Sequence, residues 1–209
     1  DLYLFAYGHD YMGALGDYVK VAGRIPLPPK FAFGYWWSRY WQYSDNEFVD
    51  LVTTMKSFDI PIDVLIVDMD WHETWSLRAK ESPRDAYGQR IGWTGYTWKK
   101  SLFPSPDNFM QWCHNQHLKT ALNLHPASGI EPFEEPYERF AADYGWTEKG
   151  KGVPFRIDDE KWADSYFKTV LGPMEKQGVD FWWLDWQQWL ESKYTKGLSN
   201  TFWLNHVFN

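Results

Sequence analysis

The sequence predicts an α/β fold built on a parallel sheet, and three observations predict it. Short apolar runs rich in β-branched and aromatic residues alternate along the chain with helical patterns. The helical stretches are long enough for the right-handed crossovers that join parallel strands. Polar residues collect directly after each run, where parallel α/β folds build their sites. The first four to five strand–helix units of a (β/α)8 TIM barrel fit this pattern, and 209 residues fall short of the roughly 250 that a whole barrel needs.

Residues 2–6 are strand-like, residues 11–22 carry a helical pattern, and Ile25-Pro-Leu-Pro-Pro29 is a spacer stiffened by proline. The spacer sets a boundary. Residues 1–29 read as a connection from a preceding domain, and residues 30–209 as the N-terminal half of a barrel. Residues 31–37 are the first candidate strand. Ser44 and Glu47 form a capping box that opens a helix with Phe48, Leu51, Val52 and Met55 on one face. Residues 63–68, centred on Val64-Leu-Ile-Val67, have the character of a strand buried on both sides. A helix from Ser105 to about Asn115 leads to a third strand at 119–124. Helical patterns at 136–144 and 160–171 precede a fourth strand at 179–184, and a last helix covers 199–208. The connection from Trp71 to Pro104 is far longer than a routine βα loop, as segments that cover a site are.

Tryptophan occurs 15 times and aromatic residues make up 20% of the chain, although the mean hydropathy is -0.57. Core filling alone does not need so many rings, which leaves some to face a ligand. A net charge of -7 without a basic run argues against nucleic acid, whose binding draws on clustered lysine and arginine. No apolar stretch is long enough to span a bilayer, so no membrane partner is expected. The chain opens at Asp1 without a signal-like region, as a cut within a longer polypeptide would, and the compartment stays open. Cys113 is the single cysteine, which excludes an intrachain disulfide and a cysteine cage; its helical position marks it as packing. Gly88, Gly92 and Gly95 fall inside the long connection, so they do not form a phosphate-binding fingerprint.

The fourth strand runs into Asp185, set among Trp182, Trp183, Trp186 and Trp189. Indole faces stack on the C–H faces of pyranose rings, and a carboxylate between them can stabilise or attack an anomeric carbon. The competing reading is a packed strand with Asp185 capping the next turn. Ser38 and Arg39 follow the first strand, Asp68 and Asp70 the second, and His125 the third. Asp68 and Asp70 project to one side if the strand continues, ready to bond sugar hydroxyls. With His72 they also read as a metal site, or as a salt bridge to a crossover helix. His125 reads equally as a hydroxyl donor and as a structural histidine. Residues 93–98 read equally as a stacking wall and as a self-packed loop.

In chain order, Gly23-Arg-Ile-Pro-Leu-Pro-Pro-Lys-Phe-Ala-Phe-Gly34, Asp68-Met-Asp70, Leu102-Phe-Pro-Ser-Pro106 and Trp183-Leu-Asp185 resemble glycoside hydrolase family 31. The resemblance implies a retaining α-glycosidase or transglycosylase on a (β/α)8 barrel. It puts the nucleophile on Asp185, a substrate-binding aspartate on Asp68 and a tryptophan lining the sugar on Trp183. Asp70, Trp71, His125 and Trp186 complete the substrate-binding candidates. Many members carry Asp-Pro-Ala where this chain has His125-Pro-Ala127, and Asp-Met-Asn-Glu where it has Asp185-Trp-Gln-Gln188. The sugar pocket is therefore altered, and glucose, xylose, galactose and N-acetylgalactosamine all stay open.

The implied general acid lies later in a barrel than these residues reach. The chain alone is expected to have little activity and to need the rest of the barrel, or a partner copy, to complete it. An oligosaccharide or glycoside is the expected partner, and no cofactor or metal is implied. The rivals are a carbohydrate-binding protein on a degenerate barrel, tested by Asp185→Asn, and a metal-dependent hydrolase using Asp68, Asp70 and His72, tested by chelation.

Overall fold

The computed structural model describes residues 2–73, 93–185, 191–192 and 194–208. It divides into two compact units, residues 1–33 and 34–209. In the first unit, Asp10 caps helix α1 (Tyr11–Ala22) by accepting from the Gly13 amide at 2.9 Å. Phe5 packs edge-on against Tyr18 of that helix, with ring centroids 5.9 Å apart. The strand expected at residues 2–6 does not form. A strand needs a ladder partner, the regular elements of this unit are helical, and Leu2 and Leu4 stay exposed. Lys30–Phe33 is likewise a 3-10 turn, started by the Ala32 amide donating to Pro29 O at 3.0 Å. The first strand is therefore much shorter than the expected 31–37.

The second unit is a four-stranded, all-parallel sheet in the order β1 (Trp36–Trp37), β2 (Val64–Val67), β3 (Lys119–Leu124), β4 (Phe181–Leu184). This is the partial α/β barrel that the sequence predicts. Gly34 lets β1 approach β2, because a Cβ there would lie 2.2 Å from Oδ2 of Asp63, the carboxylate that accepts the Tyr35 amide at 2.9 Å. Helix α2 (Asp45–Ser57) opens with the expected capping box. Ser44 Oγ accepts the Glu47 amide at 3.3 Å and Glu47 Oε2 accepts the Ser44 amide at 2.7 Å, an arrangement that stabilises a helix by about 1 kcal/mol. Phe48, Val52 and Met55 are its buried stripe. Helix α3 (Pro106–Asn115) starts with proline at its first position and buries Phe109, Met110 and Cys113 at helical spacing. Burial there pushes the Cys113 thiol up to about 12.

After β3 come α4 (Tyr137–Tyr144) and one long rod: α5 (Glu160–Tyr166), a π-helical turn (Phe167–Leu171) and α6 (Gly172–Gln177). The helix expected at 160–171 thus runs on to Gln177. Proline at 173 explains the wide turn. It has no N–H to offer the carbonyl of Thr169, and Arg139 Nε donates to that carbonyl instead, at 2.5 Å. The turn also marks a change of neighbours: Tyr166, Val170 and Leu171 pack in one core cluster with Trp162 and Phe140, whereas Met174 packs in a second with Val179 and Cys113. The last helix is α7 (Asn200–Val207).

Strand parity divides the sheet residues between two faces. Leu65, Val67 and Leu122 point into the second cluster, against Phe48, Phe109 and Met110. On the opposite face the Trp36 and Phe181 rings, from the two outer strands, meet at 5.3 Å, so the sheet is curled toward that side.

Candidate active site

Neighbours in a parallel ladder sit side by side, and alternate residues share a face. The ladder pairs Ile66 with Ala121, Asn123 with Trp183 and Leu124 with Leu184. Carried past the strand ends, this register sets Asp68 beside Asn123 and His125 beside Asp185, all on the concave face with Trp183. The Asp185 amide still donates to Leu124 O at 3.1 Å, which extends the ladder to that residue.

The side chain of Asp185 is 26% exposed. Its Oδ2 accepts from Asn123 Nδ2 at 3.0 Å, and His125 Nε2 lies 3.5 Å from the same oxygen. His125 is buried, with Trp93 edge-on to its ring at 5.3 Å. Burial holds its imidazole below the usual histidine range, against the opposing charge of Asp185, so the ring is neutral near pH 7. Burial pushes the Asp68 carboxyl above the ordinary range; the Met69 amide, donating at 2.7 Å, opposes this, and the charges of Asp185 and Asp70 reinforce it. Asp70 is also raised by burial, opposed by Lys99. The charge of Asp185 thus reaches Asp68, and neighbouring carboxylates of this kind oppose one another's ionisation.

A cavity of about 400 Å³ opens along this face, lined by Trp36, Ser38, Ile66, Phe181 and Trp183 together with Trp182 and Leu184. Ser38 thus lines the cavity, whose lining includes none of Asp68, His125 and Asp185, whereas the Arg39 guanidinium stacks over the Trp41 ring at 4.7 Å. Residues 94–98 of the long connection are packed into the protein, as the self-packed reading has it. Tyr96 and Trp98 are buried in the core, and Trp93 is the partly exposed ring beside His125. The Tyr96 amide donates to Glu134 Oε2 at 3.1 Å and Thr94 Oγ1 accepts the Ser128 amide at 3.2 Å, tying this connection to the segment that follows β3.

Three expectations need correction or limits. Asp68 and Asp70 do not share one side of a strand: β2 stops at Val67 and Asp68 caps a 3-10 turn (Met69–Trp71), which rotates about 120° per residue. Trp71 does not line the opening. Its ring is fully buried in the core, with Nε1 donating to Asn123 O at 2.8 Å, and further chain could only bury it more. His72 is buried against Trp71, its Nδ1 3.0 Å from Glu73 O, and burial lowers its pKa to about 4. Among the described residues no three His, Cys, Asp or Glu side chains are grouped to hold a metal. Trp186, Trp189, Gly88 and Gly92 lie outside the described residues. Asn123 is the site residue that sequence reasoning missed. Its signal was a polar residue two before His125, hence on the same face of an otherwise apolar strand end.

Fold and site together define a class: a curled parallel β/α half-barrel whose acidic groups gather at the carboxyl ends of the strands. The profile of the glycosyl hydrolases family 31 TIM-barrel domain matches residues 25–206, and the chain belongs to that family. An α-xylosidase of Saccharolobus solfataricus is 26% identical over 185 residues, 88% of this chain and 22% of that protein. An α-glucosidase of the same organism is 24% identical over 82% of this chain and 23% of its own length. Among solved structures, a family 31 α-xylosidase from Xanthomonas citri superposes with a TM-score of 0.59 at 23% identity, covering 85% of this chain and 19% of that one. A family 31 dextranase from Flavobacterium johnsoniae, complexed with isomaltotriose, reaches 0.65 at 16% identity, covering 97% and 26%. The chain spans about a fifth to a quarter of the length of these relatives.

Proposed function

We propose that this domain carries the nucleophile of a retaining α-glycosidase, and that the nucleophile is Asp185. The observation that carries the reading is its position: it ends β4 on the concave face with Trp183 and Asp68, partly open, while Asn123 holds its Oδ2. In the reaction, an Asp185 oxygen bonds to the anomeric carbon as the bond to the leaving oxygen breaks. That oxygen takes its proton from a general acid outside these 209 residues. Water then cleaves the glycosyl ester, and two inversions retain the anomeric configuration. Asp68 accepts hydrogen bonds from sugar hydroxyls, and Trp183 packs against the ring. Asp70 and a neutral His125 are further candidates for contacts with the sugar, and Trp186 is a candidate on its sequence position alone.

Residues 1–29 are the entry to the domain and 30–209 its N-terminal half, completed by further polypeptide or a partner copy. The α-xylosidases and α-glucosidases among the relatives support an α-glycoside as substrate and put xylosides and glucosides first in a screen. The test uses the full-length polypeptide on nitrophenyl α-glycosides, following the first-formed anomer by proton NMR. Retained α-product with wild type and none with Asp185→Asn is expected. Turnover by Asp185→Asn, or an inverted product, overturns the reading. Ligand binding without turnover by wild type points to the sugar-binding alternative.

A further inference from the structure

We infer that Asn123 is a positioning residue for Asp185, fixing the orientation of its carboxylate through Oδ2. This rests on Asp185 being the nucleophile. Asn123 is fully buried in β3, and a buried amide must be matched with partners or it opposes folding. An ionised carboxylate only accepts, so the amide must turn its Nδ2 toward Asp185, where the 3.0 Å bond lies. Its Oδ1 has no partner among the described residues. An apolar side chain would avoid that unmatched acceptor, so the donor is the half of this amide that earns its place.

The donor is also rigidly held. The backbone of Asn123 is paired with Trp183 of β4, one residue beyond the last β2–β3 pair (Val67 with Leu122), and its carbonyl accepts the indole N–H of fully buried Trp71 at 2.8 Å. His125 Nε2, 3.5 Å from the same Oδ2, is a second neighbour on that side of the carboxylate. The Asn123 bond, made from a buried and anchored side chain, restrains the rotation of the carboxylate about its Cβ–Cγ bond. Held in this way, the carboxylate keeps one orientation while the glycosyl ester forms, and the Asn123 bond receives the returning charge when water attacks the anomeric carbon. Trp71 thus bears on the site through a backbone carbonyl in place of a sugar ring.

The experiment uses the full-length polypeptide, a fluorinated glycosyl inactivator that traps the covalent ester, and peptide mass spectrometry to locate it. Wild type is expected to be labelled on Asp185. Asn123→Ala is expected to label there, and to turn over, about 100-fold more slowly, the scale of a small misplacement of a reacting group, with KM little changed. Asn123→Asp keeps the shape but replaces the donor with a charge, so it is expected to be slower still; it carries the comparison if Asn123→Ala does not fold. Labelling of either variant at the wild-type rate per folded molecule, with only the melting temperature lowered, overturns the positioning role. A wild-type label on another residue overturns the nucleophile assignment itself, and this inference with it.

Discussion

Strands β3 and β4 treat an aspartate at one end very differently from those at the other. At their amino ends, Asp180 is surrounded by donors: Lys119 Nζ at 2.7 Å, the Thr120 amide at 2.9 Å and His114 Nε2 at 3.1 Å. Burial alone would raise its pKa, but these bonds outweigh burial and hold it below the ordinary range. At the carboxyl ends Asp68 faces Asp185 across Asn123, and burial with like charge drives Asp68 upward. The amino end uses a carboxylate to hold strands together. The carboxyl end keeps carboxylates close enough to oppose one another's ionisation, at the end of the strands where β/α barrels build their sites.

The largest test of that contrast is Asp185→Asn. Turnover of the full-length enzyme is expected to fall by about 10⁴-fold, as for other members of a catalytic set, while the melting temperature holds or rises because a charge beside Asp68 is gone. Loss of stability with turnover intact would reverse the assignment of the two ends. Next in size, Asp180→Ala should remove about 2–3 kcal/mol of stability in a denaturant titration, because it strips a largely buried carboxylate from charged and amide partners. The rate per folded molecule should not change.

Acid separates the two ends more finely. The folded-state pKa of Asp180 is lowered, so its contribution is complete above the unfolded carboxylate range and is lost as pH falls through the folded value. Asp68 has the opposite sign: its raised pKa makes the charged form unfavourable at neutral pH, a burden lifted as pH falls through the folded value. Melting curves from pH 7 to 3 should therefore fall less steeply for Asp180→Asn than for wild type. Asp68→Asn should melt slightly higher than wild type at pH 7 and bind sugar more weakly. The smallest effect belongs to Cys113, whose buried thiol should resist an aromatic disulfide reagent at pH 8 until the fold opens, giving a folded-state control for every variant.

Legibility followed the physics of each segment. Residues 64–67 and the Ser44–Glu47 box were readable because β-branched runs and caps act locally. Residues 2–6 and 31–37 looked like strands by composition, yet pairing depends on a partner and on amides that Pro28 and Pro29 help turn aside. Asp185, Asp68 and His125 were legible as polar stops to apolar runs. The shared side expected of Asp68 and Asp70 was misread because strand parity was carried past Val67 into a turn that breaks it, and Trp71 because an indole beside acidic groups packs a core as readily as it meets a sugar. Asn123 was overlooked because its importance comes from β4, a neighbour distant in sequence.

The wide turn at Phe167–Leu171 reaches further than its own hydrogen bonds. A helix turns about 100° with each residue, so one additional residue acts as a gear tooth between the upstream and downstream halves of the rod. It lets Tyr166 engage one set of gears and Met174 another before the chain enters β4. Deleting a residue there would restore ordinary winding and swing Met174 off its mesh. The seat of Met174 beside Val179, where the chain approaches β4, is thus timed by one extra residue in the preceding rod.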